Sequence, residues 1–300
     1  MIVDSRTGHV LTYFIEGTAF VDMEQHTKDM ERFGVDVQVL SVNPPGVDRV
    51  VDPEEALRLS AIINDELARV VAEGGGRFSA LATVPMNNQD VALQEARRAL
   101  DQLGLRGVNI SSNTLGRYYD TGYERFFAFL EKRGAPVFIH PTESVAQEVI
   151  GQDYNLPLVF GWPFDTTISV SRLVFSGLMK RLPKLKVVAA HGGGMIPFYA
   201  GRLEMLLHDT RGSGRRPDRD SVEMLRLVNY EAALFDENSI SLLIRFAGED
   251  RVVYGTDYPF GGSSAGDCYR VSGRVMRRLA VSDRVRQKVL WRNASRLLNL

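Results

Sequence analysis

A single cysteine, Cys268, occurs among the 300 residues. That excludes an internal disulfide framework and suits a reducing compartment, so a cytoplasmic location is expected. An excess of either charge is lacking too, with 36 Lys and Arg against 37 Asp and Glu. The resulting net charge of −1 gives nucleic acid and anionic membranes no electrostatic footprint to bind. No apolar run approaches the roughly 18 residues of a spanning helix. Met1 to Arg6 also carries no apolar segment of a secretory signal. Low-complexity tracts, short repeats and Pro/Ser-rich linkers are missing as well. What is present is ordinary globular composition, 44% hydrophobic and 24% charged. The chain is long enough to bury a core without a disulfide or metal staple. One domain over residues 1–300, with a small-molecule or protein partner, is the expectation.

Short β-branched runs alternate with amphipathic stretches. The runs are Val37–Ser41, Phe78–Val84, Gly107–Ser111, Pro136–His140, Leu185–His191, Asn229–Phe235 and Arg251–Asp257. Helices are expected near Asp22–Phe33, from Asp52 to the glycines 74 to 76, and near Val91–Leu103, Tyr123–Lys132 and Thr166–Arg181. Others are expected near Pro197–Asp209, Ser239–Phe246, Arg270–Leu279 and Ser282–Leu298. The second helix is the best signalled. Asp52 can cap it, Pro53 suits its first turn, and Glu54 and Glu55 complement its N-terminal dipole. Seven βα units at this spacing predict parallel strands with crossover helices. A closed barrel needs eight. The expected fold class is therefore α/β, a (β/α)8 TIM-barrel-like domain whose first strand is missing or degenerate, with residues 1–20 as an atypical N-terminal segment.

Three runs end in residues capable of chemistry. They are Ile139-His140-Pro141, Ala190-His191-Gly192-Gly193-Gly194 and Gly255-Thr256-Asp257-Tyr258-Pro259. In a barrel all strand C-termini open onto one face, where barrel active sites sit. Two imidazoles and a carboxylate, 51 and 66 positions apart, would converge there and offer nitrogen and oxygen ligands to Zn²⁺, Mn²⁺ or Fe²⁺. The glycine N–H groups after His191 could bind an anionic substrate. Each feature alone has a structural reading: a hydrogen-bonded strand-end histidine, a turn with an Asp cap, a flexible connection. Their joint placement at the ends of alternating βα units favours a site.

These segments, with Pro197-Phe198, Gly201-Arg202 and Phe260, resemble the amidohydrolase-related family, and within it the aminocarboxymuconate-semialdehyde decarboxylase branch. Met30–Ser41, Leu81–Met86 and Gly161–Thr167 extend the similarity from about residue 20 to the C-terminus. The resemblance implies a metal-dependent decarboxylase of a small carboxylated substrate. A metal-dependent hydrolase of an ester, lactone or amide on the same barrel, or a truncated or degenerate non-catalytic barrel, are the alternatives. It implies that His140 and Asp257 bind a divalent metal, zinc first and manganese second. It implies too that His191 and Asp257 are catalytic, and that Arg202 holds a substrate carboxylate in the neighbouring subunit of a homodimer. His26 lies near a substrate-binding position of that branch.

The departure from the family pattern is at the start. The family's first strand carries His-x-His, two further metal ligands, whereas the five histidines here are His9, His26, His140, His191 and His208. Either Met1–Gly8 is a decayed first strand or the chain begins downstream of it, with Thr7-Gly8 as a hairpin turn. Truncation is the reading preferred. Two ligands hold a divalent ion weakly, so the chain is expected to be metal-poor. The branch's gating tryptophan is replaced near Asn155, which argues against the aminocarboxymuconate substrate itself. Tyr154, Phe160, Trp162 and Phe164 form either a lid over the barrel mouth or packing on its rim. His9, His208 and Cys268 read as structural, and Arg211, Arg215, Arg216 and Arg219 as a solvated basic loop.

Overall fold

The computed structural model of the chain describes residues 2–3, 10–12, 22–42, 46–151, 153–206, 217–260 and 266–300. Its strands are β1 (Ile2–Val3), β2 (Val10–Thr12), β3 (Gln38–Leu40), β4 (Phe78–Ala80), β5 (Ala82–Thr83), β6 (Val108–Ser111), β7 (Val137–His140), β8 (Val187–Ala189), β9 (Asn229–Glu231) and β10 (Val252–Val253). Strands β5 to β10 form one sheet in sequence order, every pair parallel. β3 and β4 pair in parallel beside it. The Leu81 N–H donates to Leu40 O and the Ala82 N–H to Gly107 O, both at 2.9 Å. With the Arg106 N–H donating to Ala80 O at 3.0 Å, the run from Phe78 bonds β3 on one edge and the β6 side on the other, as a strand between two neighbours does.

β1 and β2 form an antiparallel pair of their own. The expected turn between them, with His9 and the Thr7-Gly8 step, lies outside the described residues. Among the described residues no strand joins β3 to β10. β9 takes the carbonyls of Arg251 and Val253, so the strand alternation turns Val252 and Tyr254 to the opposite edge of β10. There Asn293 Nδ2 donates to Val252 O at 2.8 Å, and the Tyr254 N–H donates to Val289 O at 2.9 Å. C-terminal residues satisfy polar groups that an unpaired edge would leave bare.

The helices are α1 (Met23–Phe33), α2 (Pro53–Glu73), α3 (Gln89–Asp101), α4 (Glu124–Arg133), α5 (Gln147–Ile150), α6 (Trp162–Phe175) and α7 (Leu178–Arg181). They continue with α8 (Ile196–Leu206), α9 (Ser221–Arg226), α10 (Glu237–Ala247), α11 (Asp267–Arg278), α12 (Asp283–Gln287) and α13 (Asn293–Leu298). Local signals explain most ends. Asp22, Asp52 and Asn88 each accept backbone N–H bonds as N-caps of α1, α2 and α3. The helix expected from Thr166 to Arg181 breaks at Gly177, whose φ of 76° puts it in left-handed backbone open to glycine. The helix expected from Ser282 to Leu298 is interrupted by a π-turn at Lys288–Arg292.

Two apolar clusters fill the fold. The larger lies between strands and helices and includes Val108, Ile110, Val137, Ile139, Val187 and Val252. The smaller gathers Leu81, Val188 and Val253 with Val39 and Phe138, from the alternate face of the same strands, and Leu297 and Leu298 of α13. That alternate face is the barrel interior. Phe138 and His140 share it by the two-residue period of a strand, which sends His140 into the barrel mouth.

Candidate metal centre

His140 ends β7 and is the register partner of Ser111 on β6. His191 opens a short 3₁₀ turn just after β8, and Asp257 follows β10 by four residues. One nitrogen from each histidine and a carboxylate oxygen of Asp257 all lie within 4.8 Å of one another. His140 Nε2 is 3.9 Å from Asp257 Oδ1, and His191 Nε2 is 3.7 Å from Asp257 Oδ2. These side chains are 12%, 14% and 21% exposed for His140, His191 and Asp257, so the cluster is recessed yet reachable. His191 and Asp257 have φ of 50° and 57°, left-handed backbone that is uncommon outside glycine and concentrates at functional sites.

The donor set fits a divalent cation. His140 Nδ1 lies 2.9 Å from Pro141 O; a carbonyl only accepts, so Nδ1 carries the proton and Nε2 presents a lone pair. That Nε2 is buried and, among the described residues, has no hydrogen-bond partner, an uncommon condition for a buried polar atom. Burial opposes the charged form of Asp257, but the two imidazoles outweigh it and hold its carboxyl well below the usual carboxylate range. Burial likewise opposes protonation of His191, and Asp257 with Glu231 overrides it, raising the imidazole above its ordinary value. Three donors converge, as the strand-end motifs predict, and His191 stands as close to Asp257 as does His140, one of the two ligands that the resemblance implies.

Glu231, at the end of β9, belongs to none of the sequence motifs. Its Oε2 accepts the His191 N–H at 2.9 Å, while its Oε1 is buried without a hydrogen-bond partner. Burial pushes its carboxyl up, against the pull of His191. The available signal was an acid at a strand's C-terminal end, the position His140 occupies on β7.

The glycine run behaves differently from expectation. The N–H groups of Gly193 and Gly194 donate to Ala190 O and His191 O, so neither is available to an anionic substrate. Their small size is used in packing. A Cβ on Gly194 would sit 2.1 Å from Pro163 O, and one on Gly193 would sit 2.4 Å from the Tyr230 ring.

Other candidates are spread around this centre. Trp162 places its ring 6.0 Å from that of His140, whereas Tyr154 and Phe160 are exposed. His26 is buried on α1 with Nδ1 2.9 Å from Gln38 Oε1 and its ring edge-on to Tyr258 at 4.8 Å. It stands behind the residue that follows Asp257 and outside the donor cluster. The Tyr258 hydroxyl also donates to Asp29 on α1 at 2.8 Å, so α1 braces the Asp257 turn. Arg202 is exposed on α8 and not part of the cluster. Asp165, read as part of a family motif, is fully buried. It accepts from Ser112 Oγ, from Asn113 Nδ2 at 2.7 Å, from the Tyr118 hydroxyl at 2.6 Å and from the Val145 N–H at 3.3 Å. His208, Arg211, Arg215 and Arg216 lie outside the described residues.

Residues 10–300 match the family model described as Amidohydrolase. The chain belongs to the amidohydrolase family. It is 37% identical over 247 residues to a 2-amino-3-carboxymuconate-6-semialdehyde decarboxylase of Dictyostelium discoideum, covering 80% of this chain and 67% of that one. A 5-carboxyvanillate decarboxylase of Sphingomonas paucimobilis superposes with a TM-score of 0.84 at 28% identity, over 93% of this chain and 83% of that one. A 5-carboxyvanillate decarboxylase of Novosphingobium aromaticivorans, solved with bound manganese and 3-methoxy-4-hydroxy-5-nitrobenzoic acid, gives 0.82 at 26% identity, over 92% and 80%. The family, the decarboxylase branch and the barrel-like fold inferred from the motifs are thereby borne out. So is a divalent metal as the cofactor of the class. No helix among the described residues is long and apolar enough to cross a membrane.

Proposed function

We propose that this amidohydrolase is a metal-dependent decarboxylase of a small aromatic carboxylate, working as a single domain over residues 1–300. The observation that carries the reading is the convergence of His140, His191 and Asp257 with a buried, unpartnered Nε2 among them. In this reading His140 and Asp257 hold the ion. Their N and O donors suit zinc, the ion we favour, and manganese equally belongs to a relative. When bound, the ion supplies Lewis acidity that draws charge from a carboxylated substrate.

The chain's own residues handle orientation and the proton. His191 faces Asp257 Oδ2 at 3.7 Å, the position from which an imidazole can carry a proton to the substrate. Delivery of that proton to the ring carbon completes the reaction: the bond to the carboxylate breaks, its electron pair binds the proton, and CO₂ leaves. The ring of Trp162 beside His140 gives a planar substrate an aromatic wall. For His26, the packing against Tyr258 supports a role in bracing the Asp257 turn more than contact with substrate.

Arg202 we assign to a partner subunit's substrate carboxylate, which an arginine fork matches bidentately. It shares α8 with exposed Phe198, Tyr199, Met205 and Leu206, an apolar face suited to a homodimer. The lone buried cysteine supports a cytoplasmic enzyme.

The test is a panel of carboxylated phenols, esters and lactones with the manganese- or zinc-loaded protein. CO₂ release from a carboxylated phenol is expected, falling on the order of 10²–10⁴-fold in His191→Asn, the range for loss of a positioned proton donor. Acid release without CO₂ would assign a hydrolase. Neither product with any substrate would overturn the enzymatic reading.

A further inference from the structure

Glu231 is half-buried, and among the described residues its carboxylate has no counterion within hydrogen-bond reach. Its Oε2 takes the His191 backbone N–H, and its Oε1 is buried and unpartnered. The strand register sets it beside β10, with Glu231 paired to Val253, two residues before Gly255. Gly255 makes room for it. A Cβ built there would lie 1.6 Å from Glu231 Oε1, 2.3 Å from its Cδ and 2.5 Å from its Cγ. So the glycine of the Gly255-Thr256-Asp257 motif is occupied by this side chain. A buried carboxylate oxygen without a partner is unfavourable in itself, and each such group in a native structure calls for an explanation, a nearby ion among them.

We propose that Glu231 is a positioning residue of the metal centre, clamping the His191 backbone through Oε2 and supplying, through its charge, the second negative group that balances a dication held by His140 and Asp257. The inference rests on the metal site proposed above. It differs from a packing role in one respect: the same charge that favours the loaded protein burdens the metal-free one. Outer residues that orient ligands typically change metal affinity about 10- to 100-fold when replaced.

The experiment compares wild type, Glu231→Gln and Glu231→Asp by calorimetric titration with MnCl₂ and by thermal melting of the metal-free and loaded forms. Glu231→Gln is expected to weaken manganese binding by about 10- to 100-fold, while its metal-free melting temperature equals or exceeds that of wild type. Glu231→Asp, which keeps the charge, is expected to retain most of the affinity. Unchanged affinity in Glu231→Gln, or a metal-free melting temperature that falls, overturns the proposal while leaving the metal site intact. An aspartate variant as weak as the glutamine variant also overturns the charge argument. Wild type that binds no manganese or zinc overturns the site and this inference together.

Discussion

Gly255→Ala gives the sharpest test of how this site is packed. The backbone at Gly255 lies outside the left-handed region, and all three of its nearest Cβ contacts belong to one side chain, Glu231. The penalty is therefore assignable to a single pair. Forcing a methyl to within 1.6 Å of a carboxylate oxygen requires Glu231 to leave its seat. Overpacking of this kind costs about 1–3 kcal/mol, and loss of the acceptor for the His191 N–H adds roughly 1–3 kcal/mol. Glu231→Ala removes the obstacle, so the double variant should regain the overpacking part. The expected coupling is about 1–3 kcal/mol, in the range for residues in contact. Urea unfolding of the four metal-free proteins measures it. Additive losses, or an unperturbed Gly255→Ala, would refute the placement of Glu231 on which the reasoning depends.

Three further outcomes follow from the same geometry. Asp165→Ala leaves the donors of Ser112, Asn113, Tyr118 and Val145 buried or half-buried without their shared acceptor. At roughly 1–3 kcal/mol for each such group, chemical denaturation should register a loss of at least about 3 kcal/mol, and a loss below 1 kcal/mol would contradict it. Met205→Asp places a charge on the exposed apolar side of α8, and sedimentation should show dissociation to monomer; an unchanged mass would move the subunit contact elsewhere. His191 has a folded pKa raised above its ordinary value of 6.5. Its contribution is thus fully present below that value and lost as pH rises through the folded pKa. Metal-free protein should weaken as pH climbs above about 6.5 while His191→Asn shows a flatter profile, and equal slopes would rule out this linkage.

Local chemistry made a large part of the molecule legible. Asp52 and Pro53 start α2 because a cap and a fixed φ act within one turn. Strand-end motifs flagged His140, His191 and Asp257 because a parallel sheet sends all its C-termini to one face. Expected strands such as Asn229–Phe235 proved shorter, at Asn229–Glu231, since pairing with both neighbours and not β-propensity sets where a strand stops.

Residue types, alternation and motif spacing thus determined by themselves the barrel class, the family and the three donors, since each is written in patterns a few residues long. Only the tertiary structure decided that His191 stands as near Asp257 as His140 does. It alone placed His26 behind Tyr258 and Glu231 in the space Gly255 leaves. Those facts depend on distances between segments that lie far apart in the sequence. Packing the barrel sets such distances, and no local propensity encodes them.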